Sequence, residues 1–288
     1  MIAPSMGCAT VGAEQYGTGK GKAGGRRSSA APRGGHKQGG RAQGALPRGK
    51  AQLAGIVEQR AFVLHFQPIV GLHAGGTRHY EALLRLPDGC CGPLLSPEPF
   101  LRAAERHGLA AALDRAVLEV ALEQVAGSTA TVAVNLSAHS LADRSLPAFL
   151  AEALARFGVA GERVILEITE TAAIADLQEA ACQLAEIRGL GVRVAFDDFG
   201  VGCNSLQYLT TLPFDIVKID GLFIRRIPFS RSDRLVVEAI VALAKGLGKE
   251  TVAEYVTDAK TVSLLRALGV DHAQGFALGR PRPTLALG

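Results

Sequence analysis

The chain has no tryptophan, two methionines and an aromatic content of only 5%. Its five cysteines, Cys8, Cys90, Cys91, Cys182 and Cys203, show no paired spacing. The adjacent Cys90 and Cys91 cannot bridge each other without strain, and no CxxC metal motif occurs, so a disulfide scaffold and a zinc-cysteine site are both excluded. Reduced thiols are expected, and with them a cytoplasmic location. No apolar run reaches the roughly 18 residues of a membrane span. The nearest candidate, Leu109 to Ala126, is broken by Asp114, Arg115, Glu119 and Glu123. The N-terminus lacks the basic start and apolar run of a signal peptide. What is present is a 288-residue chain, 48% hydrophobic and 20% charged, a composition that suits a globular core and excludes collagen-like and wholly disordered classes.

The formal net charge of +4 is an average over two unlike parts. Residues 1–50 hold nine Lys or Arg against the single acid Glu14, whereas the remainder has 22 bases and 26 acids and is net −4. The first 50 residues also hold 13 of the 34 glycines. Such a segment cannot bury enough surface to offset its ordering entropy, so residues 1–49 are expected to form a disordered basic tail. Two readings of that tail stand: a solvated linker, or an arm that contacts an anionic partner. It lacks the interleaved aromatics on which nucleic-acid bases stack.

From about residue 50 short apolar runs alternate with longer helix-periodic segments. The strand candidates are FVLHFQPIV, HYEALLRL, TVAVNLS, RVILEIT, VRVAFDD, FDIVKID, KETVAE and HAQGFAL. Between them lie amphipathic stretches at Pro99–His107, Leu109–Val125, Leu146–Phe157, Leu177–Arg188, Asp233–Leu247 and Ala259–Leu268. Eight strands alternating with helices over residues 50–285 predict a (β/α)8 barrel. An open doubly wound sheet has a similar rhythm, but the glycine-rich first turn of its nucleotide sites is missing.

Each strand begins apolar and finishes on a polar side chain: Glu81, Asn135, Glu167, Asp197 with Asp198, Lys218, Glu254 and Gln274. Ile165 and Glu167 share parity, as do Ala195 and Asp197, Ile216 and Lys218, and Val252 and Glu254, so these polar groups are expected on one face. In a barrel the C-terminal strand ends converge on one mouth. Carboxylates gathered there repel one another unless a cation intervenes. Hard oxygen donors suit Mg²⁺, Mn²⁺ or Ca²⁺ better than zinc. The adjacent Asp197 and Asp198 can serve two neighbouring ions, the arrangement of hydrolases that cleave phosphoesters. The plainer reading is a set of surface acids capping helix N-termini.

These residues sit within an ordered series of motifs. They are FQPIV at 66–70, YEALLRL at 80–86, VNLS at 134–137, LEITE at 166–170, FDDFG at 196–200, VKID at 217–220, VAE at 252–254 and QGFALGRP at 274–281. In this series, from about Gly55 to Pro283, the chain resembles the EAL-domain cyclic-di-GMP phosphodiesterases of bacteria. The resemblance implies a modified TIM barrel whose first strand runs antiparallel to the rest. It implies hydrolysis of cyclic-di-GMP to linear pGpG with Mg²⁺ or Mn²⁺, by in-line attack of a metal-activated hydroxide on one phosphorus. It assigns Glu81, Asn135, Glu167 and Asp197 to a first metal and Asp198 to a second. Glu254 becomes a metal-site residue or general base, and Lys218 holds the attacking water. Gln67, Arg85 and Gln274 become substrate contacts, and Glu170 the anchor of the loop after FDDFG. A homodimer is the implied assembly.

The chain departs from the family's pattern in places. The loop usually reading TGYSS is VGCNS at Val201–Ser205, and the element usually reading AEGVET is AEYVTD at Ala253–Asp258. Thr257 stands where a second glutamate is usual, Tyr255 where a small residue is usual, and Leu86 where a tryptophan often provides a stacking surface. The altered loop and Thr257 leave open an alternative in which the domain binds cyclic-di-GMP, or a protein partner, with little turnover. Arg225–Arg226 and Arg231–Arg234 are expected to form a solvated basic rim. His65, His139 and His272 are expected as hydrogen-bonded core or rim residues, not metal ligands.

Overall fold

The computed structural model describes residues 49–87, 94–169, 176–200 and 205–285. Residues 1–48 of the expected tail, Glu170 and the loop at Val201–Asn204 lie outside the described residues. The eight expected strands form as β1 (Val63–Gly71), β2 (Thr77–Pro87), β4 (Val132–Leu136), β5 (Val164–Thr169), β6 (Arg193–Phe199), β7 (Ile216–Ile219), β8 (Glu250–Ala253) and β9 (His272–Gln274). A two-residue β3 (Leu94–Leu95), which has no signal in the sequence, hangs off the end of β2.

The sheet runs β1-β9-β8-β7-β6-β5-β4-β2, and a further β1–β2 pairing closes it into a ring of eight. β1 is antiparallel to both its neighbours, β2 and β9, while the remaining pairs around the ring are parallel. This is the expected modified barrel. Helix α1 (Lys50–Glu58) precedes β1, and between the strands lie α2 (Glu98–Arg106), α3 (Ala110–Val125), α4 (Ala138–Leu141), α5 (Leu146–Phe157), α6 (Leu177–Gly189), α7 (Ser205–Thr211), α8 (Gly221–Ile224), α9 (Arg231–Gly246) and α10 (Ala259–Leu268).

Strand alternation divides the core in two. On β5, Val164, Leu166 and Ile168 join the large cluster beneath the helices, whereas Ile165 faces the barrel interior. Ile165 belongs to a separate cluster with Ile69, Ala133, Ala195, Ile216 and Val252, one residue from each of six strands, all between 0% and 1% exposed. This apolar ring fills the middle of the barrel. Two residues before it on β6 and β8 lie Arg193 and Glu250, which with His272 on β9 close the floor; Arg193 reaches Glu250 at 2.7 Å and His272 lies 3.2 Å from the same carboxylate oxygen. The His79 ring meets His272 edge-on at 6.4 Å, and burial pushes its imidazole down to about 3, so it is neutral. Two residues beyond the ring, at the opposite end, lies the polar mouth.

Candidate active site

Lys218 ends its interior run on β7 and is 1% exposed. Its ammonium lies 2.8 Å from Glu167 on β5, 2.9 Å from Glu254 after β8, 3.1 Å from Asp197 on β6 and 3.8 Å from Glu81 on β2. Burial alone would depress the lysine, but Asp197, Glu167, Glu254 and Glu81 together hold it well above the ordinary range, so it stays charged. Four carboxylates around one ammonium leave a surplus of negative charge.

Amides complete the mouth. Asn135 on β4 donates to Glu81 Oε1 at 2.9 Å, and Gln274 on β9 donates to Glu81 Oε2 at 2.6 Å. Gln274 also reaches Gln67 Oε1 at 3.2 Å, while the Gln67 amide donates to the Gly279 carbonyl at 3.0 Å. The structure thus brings Gln67, Glu81, Asn135, Glu167, Asp197, Lys218, Glu254 and Gln274 into one network. Glu167, Asp197, Lys218 and Glu254 lie on the face their parity predicts.

Asp198 joins them through a backbone irregularity. β6 gains one residue on β7 between Phe196 and Phe199, a bulge, and Asp198 adopts a left-handed φ of 56°. A bulge re-aims a side chain that strict alternation would turn outward. Oxygens of Asp197, Asp198 and Glu254 consequently lie within 4.8 Å of one another.

The protons in this cluster respond to the crowding. Burial, then the neighbouring Asp197 and Asp220, push Asp198 up to about 6. Burial, partly offset by Lys218, pushes Glu254 up to about 8. Burial likewise raises Glu167, whose Oε1 has no hydrogen-bond partner. An orphaned buried carboxylate oxygen beside acids that hold protons near neutrality is a site short of positive charge. A divalent cation with hard-oxygen preference fits this donor set.

Above the mouth opens a cleft of about 760 Å³. Arg85 lines it, with its guanidinium donating to the Leu84 carbonyl at 2.8 Å. Thr257 lines the exposed rim. Leu86 is buried in the core beneath the helices, on the face of β2 opposite Glu81, so the substitution there leaves the described cleft wall untouched. His272 is buried in the floor against Glu250, as a hydrogen-bonded residue. Arg226 pairs with Asp233 at 3.2 Å. Arg225 is exposed as expected, and it also lines the cleft and lies over the Tyr255 ring.

Sequence reasoning passed over Asp220, which hydrogen-bonds Asp198 and caps α8 by accepting from the Leu222 amide at 2.6 Å. Its signal was the VKID motif itself, in which a second polar residue follows Lys218. Tyr255 and Phe276, both half-exposed in the cleft wall, were also passed over as site residues.

The EAL domain family model matches residues 50–281. The chain is 36% identical over 238 residues to cyclic di-GMP phosphodiesterase PdeB of Shewanella oneidensis, covering 81% of this chain and 28% of that protein. It is 34% identical over 239 residues to cyclic di-GMP phosphodiesterase PdeF of Escherichia coli K12, covering 81% and 32%. The chain therefore spans about a third or less of the length of these relatives. Among solved structures, the PaMucR phosphodiesterase in complex with c-di-GMP superposes with a TM-score of 0.74 at 37% identity, covering 81% of this chain and 98% of that one. The FimX EAL domain of Pseudomonas aeruginosa bound to c-di-GMP superposes with a TM-score of 0.76 at 28% identity, covering 81% and 96%.

Proposed function

The chain belongs to the EAL domain family, and from that premise we propose that it hydrolyses cyclic-di-GMP to linear pGpG with the help of Mg²⁺ or Mn²⁺, two ions being the expected count. The observation that carries this reading is the placement of Glu81, Glu167, Asp197 and Glu254 around Lys218 at the base of a 760 Å³ cleft. That cleft is large enough for a small dinucleotide. Its acidic mouth would repel a doubly anionic ligand unless cations enter first. The named activities of PdeB and PdeF, and the c-di-GMP held by two structural neighbours, support the substrate.

Glu81, Asn135, Glu167 and Asp197 would hold one cation, and Asp198 would hold the second, with Asp220 steadying it. Cations at this position supply positive charge to the phosphate and make a water easier to deprotonate. Glu254, 2.9 Å from Lys218, would accept the water's proton once bound cations have drawn off its own. The Lys218 ammonium would hold the attacking water and stabilise negative charge that develops on the phosphoryl oxygens. Gln67 and Gln274 orient the ligand, and Arg85 offers a fork of donors to a phosphate once it leaves the Leu84 carbonyl. Glu170 is assigned to anchoring the loop after β6. The cytoplasm is the proposed compartment and a homodimer the proposed assembly. The basic tail is left as a linker or a weak contact for an anionic partner.

Incubation with cyclic-di-GMP and Mn²⁺ or Mg²⁺, followed by chromatography for pGpG, tests the reading. Turnover that EDTA abolishes is expected. Binding of cyclic-di-GMP without turnover at micromolar enzyme would sink the hydrolysis reading and establish the receptor reading, which Thr257 favours by standing on the rim where a second glutamate is usual.

A further inference from the structure

Tyr255 is a bulky residue in a backbone conformation that suits glycine. Its φ is 54°, whereas β-branched and bulky residues rarely enter the left-handed region because Cβ crowds the following carbonyl. Strain of this kind persists where the surroundings hold it, and it concentrates at binding sites. The surroundings here are specific. Gly221, at the start of α8, lies so close that a Cβ built on it would overlap the Tyr255 ring. One helical turn later, Arg225 places its guanidinium carbon 4.2 Å from the ring centroid. The ring therefore rests against α8, fixed by a missing side chain and backed by a cation.

Despite that backing, Tyr255 remains 53% exposed and lines the cleft directly after Glu254. Phe276 lines the same cleft at 57% exposure, and the Arg280 guanidinium carbon lies 4.3 Å from its centroid. In a chain with only four tyrosines and no tryptophan, two half-exposed aromatics with arginine behind them sit in one cleft wall. An aromatic face held rigid and left open beside a phosphodiester-binding mouth is what a nucleobase stacks on.

We propose that the open face of Tyr255, positioned by Gly221 and Arg225, is a stacking platform for a purine base of the nucleotide ligand. This rests on the nucleotide reading of the cleft and adds to it a specificity-determining residue. Arg225 contributes twice: it immobilises the ring, and its charge favours an anionic ligand. Gly221 acts as a positioning residue.

Glycine is at ease at a φ of 54°, so Tyr255→Gly retains the fold. Initial-rate kinetics with cyclic-di-GMP and calorimetric titration with pGpG in Mn²⁺ read the platform in two independent ways. Tyr255→Gly is expected to raise both KM and Kd roughly tenfold, the scale of one lost base stack, with the loss carried by KM and not kcat. Gly221→Ala, which pushes the ring from its seat, is expected to reproduce that loss and to add little to Tyr255→Gly. Tyr255→Phe is expected to match the unaltered protein, because the face and not the hydroxyl makes the contact. Unchanged or tighter pGpG binding in Tyr255→Gly overturns the platform, as does an equal loss in Tyr255→Phe. Ring-dependent binding in a protein that fails to cleave cyclic-di-GMP would sink the hydrolysis reading and leave the platform standing.

Discussion

Lys218 separates two roles that a single buried cation can play, balancing its neighbours and acting on a ligand. Replacing it by methionine keeps the volume and leaves Glu81, Glu167, Asp197 and Glu254 facing one another without a counter-charge. Removing one partner from a buried ionic cluster costs about 3–5 kcal/mol. In a domain of this size the loss lowers thermal unfolding by roughly 10 °C in EDTA. Lys218→Met is expected to recover part of that loss when Mg²⁺ is added, yet to remain inactive toward cyclic-di-GMP. Calorimetry with and without metal, beside the pGpG assay, checks both halves. Full activity in the variant would remove Lys218 from the chemistry.

Elements carry the site residues, and helix α3 shows how. Its Asp114 reaches across to the turn after β4, accepting from the Ser137 amide at 2.8 Å and the Ser140 hydroxyl at 2.6 Å. That turn begins two residues after Asn135, and burial raises the Asp114 carboxyl despite these hydrogen bonds. Asp114→Ala strands a buried amide and hydroxyl, a cost of about 1–3 kcal/mol. A fall in thermal unfolding of about 3–9 °C is expected, with a raised Mn²⁺ requirement as Asn135 loosens. An unchanged metal requirement would restrict Asp114 to stability alone. The strands were legible in the sequence because both of their faces are buried, which writes near-continuous apolar runs such as RVILEIT. Helices α2, α3, α5, α6, α9 and α10 were legible from their periodicity, whereas the nine-residue α1 was not. Short α4 and α8 were not: four residues give no period to read, and only Ser137 and Asp220 mark their starts as caps. Parity found the inward carboxylates. It could not find Asp198's inward turn, since a bulge breaks the rule on which parity depends, nor the ring of Tyr255, which a distant glycine places.

At the scale of the molecule, the mouth and the floor of the barrel respond to different variables. A metal held at the mouth as proposed would bind the folded chain and not the unfolded one, so saturating it at about 100 times Kd is expected to add about 2.7 kcal/mol and to raise unfolding by roughly 5–10 °C. Glu167→Gln is expected to abolish most of that rise. The floor answers to acid. Hydrogen bonds from His272 and Arg193, against the opposing effect of burial, hold Glu250 down to about 2. A depressed carboxyl contributes stability that is complete above its ordinary value of about 4.5 and is lost as pH falls from there toward 2. The unaltered protein should therefore lose thermal stability more steeply than Glu250→Gln between about pH 5 and about pH 3. Parallel curves for the two proteins would contradict that linkage. Between these ends lies the apolar ring of Ile69, Ala133, Ile165, Ala195, Ile216 and Val252, at most 1% exposed. It works as a watertight diaphragm. Water and protons that reach Glu254 and Lys218 do not arrive through the barrel from below; they use the open cleft above the mouth. On the proposed hydrolysis, a ligand seated over the mouth would also be its stopper: the water to be consumed would already have to be inside when the ligand lands, and the released proton would wait for the product to leave.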